Sequence, residues 1–365
     1  MKWTAIGLLF LVIVIAGIVF FAYKPQASPD IELRECKTLS YNGENAVNIV
    51  FFSSKKQAEN YMNGLYGFEP FVSNKNVFNV YYIDDYNSEC ELYKGIALLC
   101  YSKSLLKTAG SCPNDIIVAV KDMAGGIRSS AYMNVISLNS KLPVSVFTHE
   151  LGHVFANLAD EYVPAKLSSG VKNCVKNCDK FEDKNDGCFS GCSEENYFRS
   201  VDNGIMKTLG SNKFGAFNEL ILEEKINEKS RSLTGMAVGS ERECAQEQYH
   251  MIEGVYQENK MQVLGQKIVS GCVGGNGEGG FDYQVLDDKN NALSSDNFNP
   301  ELIFTDVNEE NGELMGGSAS SDKSFIIKVP LIEGAKKLDV RKDGQSIAML
   351  DLDKSDLEAR PCRIL

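Results

Sequence analysis

His149-Glu150-Leu151-Gly152-His153, continued by Val-Phe-Ala-Asn-Leu-Ala-Asp160-Glu161-Tyr162, is the stretch on which the reading of this chain turns. On a helix, positions four apart lie one turn above each other, so His149 and His153 can each offer a ring nitrogen to one metal ion. Glu150 then stands beside that ion, where a carboxylate can take a proton from an activated water and pass it to a leaving amine. The expectation is one catalytic zinc and hydrolysis of peptide bonds. Histidine is scarce, with three in 365 residues, and two of them sit in this motif, which argues against a chance pattern. Residues 131–138 read as a strand ahead of the motif, and Pro143 suits the opening of a helix that carries it.

A catalytic zinc takes three protein ligands and keeps a position open, so a third ligand is needed. Metzincins break the helix at a glycine and place the ligand three residues later. Here Asn157, a residue that tolerates a left-handed turn, precedes Asp160 by three. On an unbroken helix Asp160 would lie about 10 Å from His153 along the axis, too far to share an ion, so the helix has to end near Asn157. Asp160 is the expected ligand, with Glu161 and the remote Glu219 as alternatives. Residues 203–206, Asn-Gly-Ile-Met, resemble a Met-turn that would lay Met206 beneath the metal. Tyr162 and Tyr197 are candidate donors to the oxyanion. A lone histidine near a strand is more often structural than a ligand, and His250 is read that way.

Three segments taken together, HELGHVFANLADEY (149–162), GLYGFEPFVSNKNVFNVYYID (64–84) and NYFRSVDNGIMK followed by FGAFNE (196–219), resemble the IgA-peptidase family of metallopeptidases. The likeness spans most of residues 45–230. It implies a zinc endopeptidase with His149, His153 and Asp160 on the metal and Glu150 as general base, acting on a protein or peptide. It does not imply that immunoglobulin is the substrate. The segment between Tyr162 and Asn196 is a cysteine-bearing insertion peculiar to a subset.

Residues 3–23 are an almost unbroken apolar run, about long enough to cross a ~30 Å hydrocarbon core. They are read as a transmembrane anchor with the body of the chain outside the cell, a cleaved signal peptide being the alternative. Eleven cysteines fit an oxidising compartment. Cys174, Cys178, Cys188 and Cys192 form two evenly spaced pairs, expected to be bridged between helices, with a structural zinc as the other option. A net charge of −12 and the lack of a basic stripe exclude nucleic acid as a partner. The sequence carries no signal of oligomeric state.

The expected organisation is an anchor at 1–24, a stalk at 25–45, a zincin-like α/β catalytic domain at 46–235 with the insertion at 163–195, and a β-sandwich-like domain at 245–365. The catalytic domain would hold a twisted mixed sheet and the active-site helix. A polar linker is expected at 228–243. Short strand candidates then follow one another, separated by glycine, asparagine and aspartate, and Asp343-Gly344 reads as a hairpin turn. The leading function is a membrane-anchored zinc endopeptidase that could bind its peptide by adding a strand to a sheet edge. The alternatives are a surface adhesion protein with a non-catalytic zincin domain and a zinc amidase acting on cell-wall peptides.

Overall fold

Alternation of side chains explains the centre of the molecule. In β2 (Val47–Phe52) the residues Val47, Ile49 and Phe51 face one core while Val50 and Phe52 face another, and Ile116 and Val118 divide from Ile117 and Ala119 in the same way. Strands buried on both faces suit a parallel arrangement covered from both sides. The computed structural model describes residues 33–181, 187–232, 244–257, 260–304, 317–320, 324–353 and 357–358.

β1 (Lys37–Ser40), β2, β3 (Phe78–Ile83), β6 (Ile116–Lys121), β7 (Ser130–Tyr132) and β8 (Val135–Asn139) form most of an eight-stranded sheet in the order β1-β3-β2-β6-β8-β7, continued beyond β7 by two strands of the C-terminal half. β2, β3, β6 and β8 run parallel, whereas β1 and β7 are antiparallel to their neighbours. A short hairpin, β4 (Glu91–Tyr93) and β5 (Ala97–Leu99), and a second, β9 (Phe189–Cys192) and β10 (Glu194–Arg199), stand apart from it. From the C-terminal half come β11 (Gln248–Gln257), β12 (Lys260–Ser270), β13 (Phe281–Leu286), β14 (Ala292–Phe298), β15 (Glu301–Phe304), β16 (Gly317–Ser320), β17 (Phe325–Pro330), β18 (Lys337–Lys342), β19 (Gln345–Asp351) and β20 (Leu357–Glu358). They make two antiparallel sheets, β17-β11-β12-β20 and β14-β13-β18-β19, and supply β15 and β16 to the main sheet.

Helices α1 (Lys55–Leu65), α3 (Ser145–Ala156) and α4 (Ala216–Ser232) share one core with the main sheet. The other face is covered by α2 (Lys103–Ala109) together with Tyr249, Met251 and Ile326 from the C-terminal half. α1 starts cleanly because Ser54 and Gln57 form a reciprocal capping box. Aromatic rings fix α3 at both ends: Phe147 lies 5.5 Å from Phe51, and Phe155 lies 5.7 Å from Phe78. Such pairs contribute about 0.5–1.5 kcal/mol each beyond their buried area. The helix that carries His149 and His153 is thereby held at two points rather than one.

Several expectations are corrected here. The zincin-like α/β domain with a separate sandwich is not what the described residues form: they are mostly strand, in several sheets, with four α-helices, and the C-terminal half extends the main sheet instead of standing apart. Residues 33–365 form one compact unit. The single-pass membrane localisation is also withdrawn, since no helix among the described residues is long and apolar enough to cross a membrane. The run at 3–23 lies outside the described residues. Part of the expected stalk is strand β1, and Cys36 beside it is bonded to Cys112. The strand read at 131–138 is a hairpin, β7 and β8, because Met133 adopts a left-handed conformation (φ 54°) that turns the chain back.

Residues 271–280, Gly-Cys-Val-Gly-Gly-Asn-Gly-Glu-Gly-Gly, link β12 to β13 and press against the N-terminal half. A Cβ at Gly274 would sit 1.7 Å from the Asn114 carbonyl oxygen and one at Gly277 would sit 2.6 Å from that of Met133, so only glycine lets these backbones meet. Lys328 of β17 is buried beside this contact, at 1% exposure, and its ammonium donates to Asn114 Oδ1 at 3.0 Å.

Burial pushes the Lys328 ammonium down to about 8, although Asp115 and Asp296 pull it up. An unfolded lysine titrates near 10.4, so between about pH 8 and 10.4 the unfolded chain holds the extra proton and stability rises with pH. The gain is up to about 3 kcal/mol, at 1.36 kcal/mol per pKa unit. Denaturant unfolding of the wild type and Lys328→Met across this range is expected to show that slope in the wild type and its loss in the variant. Parallel curves would mean that Lys328 titrates normally.

Candidate metal centre

The chain after α3 turns at Asn157, which takes a left-handed conformation (φ 49°, ψ 40°) while its N–H donates to the His153 carbonyl at 2.9 Å. The Leu158 N–H closes on the Gly152 carbonyl at 3.1 Å. This cap ends the helix and brings Asp160 back toward it. His149, His153 and Asp160 thus form a buried group that could hold a metal ion.

The hydrogen bonds around the imidazoles decide how they face. His149 Nδ1 is 2.9 Å from the Ile205 carbonyl oxygen and His153 Nδ1 is 2.6 Å from that of Leu158. A carbonyl only accepts, so both rings carry a proton on Nδ1 and, when neutral, turn the lone pair of Nε2 inward. The two Nε2 atoms are 3.1 Å apart, and Asp160 Oδ1 lies 3.1 Å from one and 3.3 Å from the other. Three acceptors converge. A proton between two of them would leave the third contact repulsive, whereas one cation satisfies all three. A tetrahedral ion with ligand distances of about 2.0–2.1 Å has edges of about 3.3–3.4 Å, close to the separations seen. The residues present therefore fit a metal ion.

Burial alone would raise the Asp160 carboxyl, but the imidazoles of His153 and His149 more than reverse it and hold the group below the usual carboxylate range. Tyr162 is buried next to this carboxylate, and its phenol is pushed well up, first by burial and then by Asp160 and Glu150.

Glu161 points elsewhere. Its Oε1 accepts from Asn218 Nδ2 at 2.8 Å and Asn173 Nδ2 at 3.3 Å, and burial raises its pKa to about 7 against the pull of these amides. Glu219 accepts from the Gly215 N–H at 3.1 Å at the start of α4, away from the metal group. Met206 is fully buried under the helix: a Cβ at Gly152 would come within 2.8 Å of its sulfur. Its carbonyl accepts from the Glu161 N–H at 2.8 Å, so this turn supports His149 through Ile205 and the segment carrying Asp160 through Met206. Tyr197 packs instead on the Ala159, Cys174 and Cys192 cluster. His250 lies on β11, outside the metal group, with its pKa lowered by burial.

Cysteines are paired as Cys36–Cys112, Cys90–Cys100, Cys174–Cys192, Cys178–Cys188 and Cys244–Cys272. Cys362 lies outside the described residues. The bridges in the insertion are nested, with Cys178 in a 3₁₀ turn and Cys192 in β9, not on the helices expected there.

Beside the Cys174–Cys192 bridge stand two polar residues that the sequence reading missed. Asn173 Oδ1 accepts from the Ala159 N–H at 2.7 Å and Asn173 Nδ2 donates to its carbonyl at 2.9 Å, while Ser193 Oγ donates to the Asp160 carbonyl at 2.7 Å. The insertion therefore grips the backbone at Ala159 and Asp160. The signal available was position, since each residue adjoins a cysteine of the pair. Outer partners of metal ligands contribute about 10–100-fold in affinity. Asn173→Ala is expected to weaken metal binding by about tenfold in a chelator-competition titration; unchanged affinity would reduce the grip to ordinary packing.

Comparison of the chain with protein-family models and with curated proteins finds no match.

Proposed function

We propose that this chain is a zinc-dependent endopeptidase. The observation that carries the reading is the convergence of His149 Nε2, His153 Nε2 and Asp160 Oδ1 to within 3.1–3.3 Å, with each imidazole locked by a backbone carbonyl. Two imidazoles and one carboxylate at tetrahedral spacing favour zinc over calcium or magnesium, which prefer more numerous oxygen ligands. The resemblance of residues 45–230 to the IgA-peptidase family supports the same reading. Bound there, zinc would supply a Lewis acid and an acidified water.

The chain's own residues do the rest. His149 and His153 each keep Nδ1–H on a backbone carbonyl, which fixes the ring orientation and leaves Nε2 to face the ion. Glu150, between them in sequence and fully buried, accepts the proton of the attacking water and returns it to the leaving nitrogen. Tyr162, kept protonated by its surroundings, is a donor for the oxygen that gains charge. A protein or peptide is the proposed substrate.

Elemental analysis of the purified chain is expected to find one zinc, and cleavage of an unstructured protein is expected to stop on chelation and return with zinc. Cleavage indifferent to chelation, or a chain that takes up no zinc, would defeat the proposal.

A further inference from the structure

The metal group is closed off. Glu150 is 0% and Asp160 4% exposed, so a substrate has no route to them in this conformation. Part of the cover comes from the C-terminal half. Asn299, Glu301 and Ile303 line one small crevice together with Ala131, Met133 and the ligand His153. Asn299 Nδ2 reaches Asn157 Oδ1 at the end of α3 at 3.4 Å, and Lys166 pairs with Glu301 at 3.4 Å.

The manner of this cover is informative. β7 is the strand of the main sheet that follows β8 outward, and it packs against α3. Without β15 and β16 it would be an edge, with unpaired backbone groups beside the metal ligands. β15 takes that edge as an added antiparallel strand, with Ile303 opposite Ala131 and Phe304 opposite Ser130. Ile303 is buried in the same core as Ala131 and Val154. Strand addition of this kind is how extended peptides are recognised: the backbone supplies affinity and alternate side chains supply selection.

We propose that β15 is an internal stand-in for the substrate, which holds the enzyme in a latent form until the strand leaves the β7 edge. This rests on the peptidase reading. It assigns the substrate as an extended peptide that pairs with residues 130–132 and buries a branched apolar side chain where Ile303 now lies. Hydrolysis then scales with the fraction of molecules in which the edge is vacated.

The test uses the full chain. Ile303→Pro removes a backbone donor from β15 and disfavours pairing, and Ile303→Ala trims the buried side chain while leaving the backbone intact, so the comparison survives if one of them misfolds. Folding is checked by circular dichroism and zinc by elemental analysis. Two readouts follow: hydrolysis of a quenched unstructured peptide, and binding of the labelled hexapeptide Asn-Pro-Glu-Leu-Ile-Phe, the sequence of residues 299–304. Folded, zinc-loaded variants are expected to cleave about tenfold faster than wild type or more, and to bind the hexapeptide where wild type does not. Variants that hold zinc yet cleave no faster and bind no hexapeptide would overturn the proposal. Hexapeptide binding without any cleavage would uphold the strand assignment and defeat the peptidase reading. Wild type cleaving as fast as both variants would defeat latency and leave the peptidase reading standing.

Discussion

Glu150→Gln is expected to keep its zinc and lose hydrolysis by about 10²- to 10⁴-fold, the range that general acid–base catalysis contributes. The amide has nearly the shape of the carboxylate, so the packing of this fully buried position is preserved. The metal group does not include residue 150, and its ligands are anchored from outside, by the Ile205 and Leu158 carbonyls and by the grip of Asn173 and Ser193 on the backbone around Asp160. What the amide cannot do is accept a proton from water and release it to nitrogen. Zinc content and turnover of an unstructured protein, measured on one preparation, separate the two roles. A variant that loaded zinc and turned over at the wild-type rate would remove Glu150 from the mechanism.

Asp160→Ala acts on the other half of the site. Its carboxylate is the one anionic member of the group, and without it two neutral imidazoles share the ion. Loss of an outer partner of a ligand already costs about 10–100-fold in affinity, so loss of the ligand itself is expected to exceed about 100-fold. Stability reports the same quantity. Free zinc at about a thousand times the dissociation constant adds about 4 kcal/mol to the folded state, and the thermal midpoint of the wild type should rise accordingly while that of the variant barely moves. Full zinc occupancy in Asp160→Ala would require another ligand. Glu161 would be a poor substitute, since Asn218 and Asn173 already hold its carboxylate.

The metal group was legible because it is local. Two histidines four apart, and an asparagine able to end their helix three residues before Asp160, fix the geometry within a dozen residues, and the cap at Asn157 has the left-handed conformation that this spacing demands. The strands of the C-terminal half were legible where apolar residues alternate, as in β13, whose Phe281, Tyr283 and Val285 face one core. β14 escaped notice because Ser294, Ser295, Asp296 and Asn297 give it the composition of a loop; its pairing with β13 makes it a strand. The hairpin at Met133 was hidden in an apolar run, where periodicity says nothing about a reversal of direction.

What failed altogether was the division of the chain into an α/β enzyme and an appended sandwich. Each half shows ordinary patterning by itself, and patterning does not say that Tyr249 and Met251 will lie on the face opened by Val50 and Phe52, or that β15 will enter a sheet begun at residue 37. The glycines at 274, 277, 279 and 280 were the available hint. They cluster where one backbone presses against another, and the sequence reading noted glycine there only as a separator between strand candidates.

The shared face also governs how the molecule comes apart. Tyr249, Met251 and Ile326 share with α2 the cover of one apolar face of the main sheet, so a fragment ending before residue 248 would expose part of that face to water. Its half of the chain cannot melt alone without exposing the other. The two halves should therefore lose their structure together, with coincident unfolding midpoints for probes placed in each.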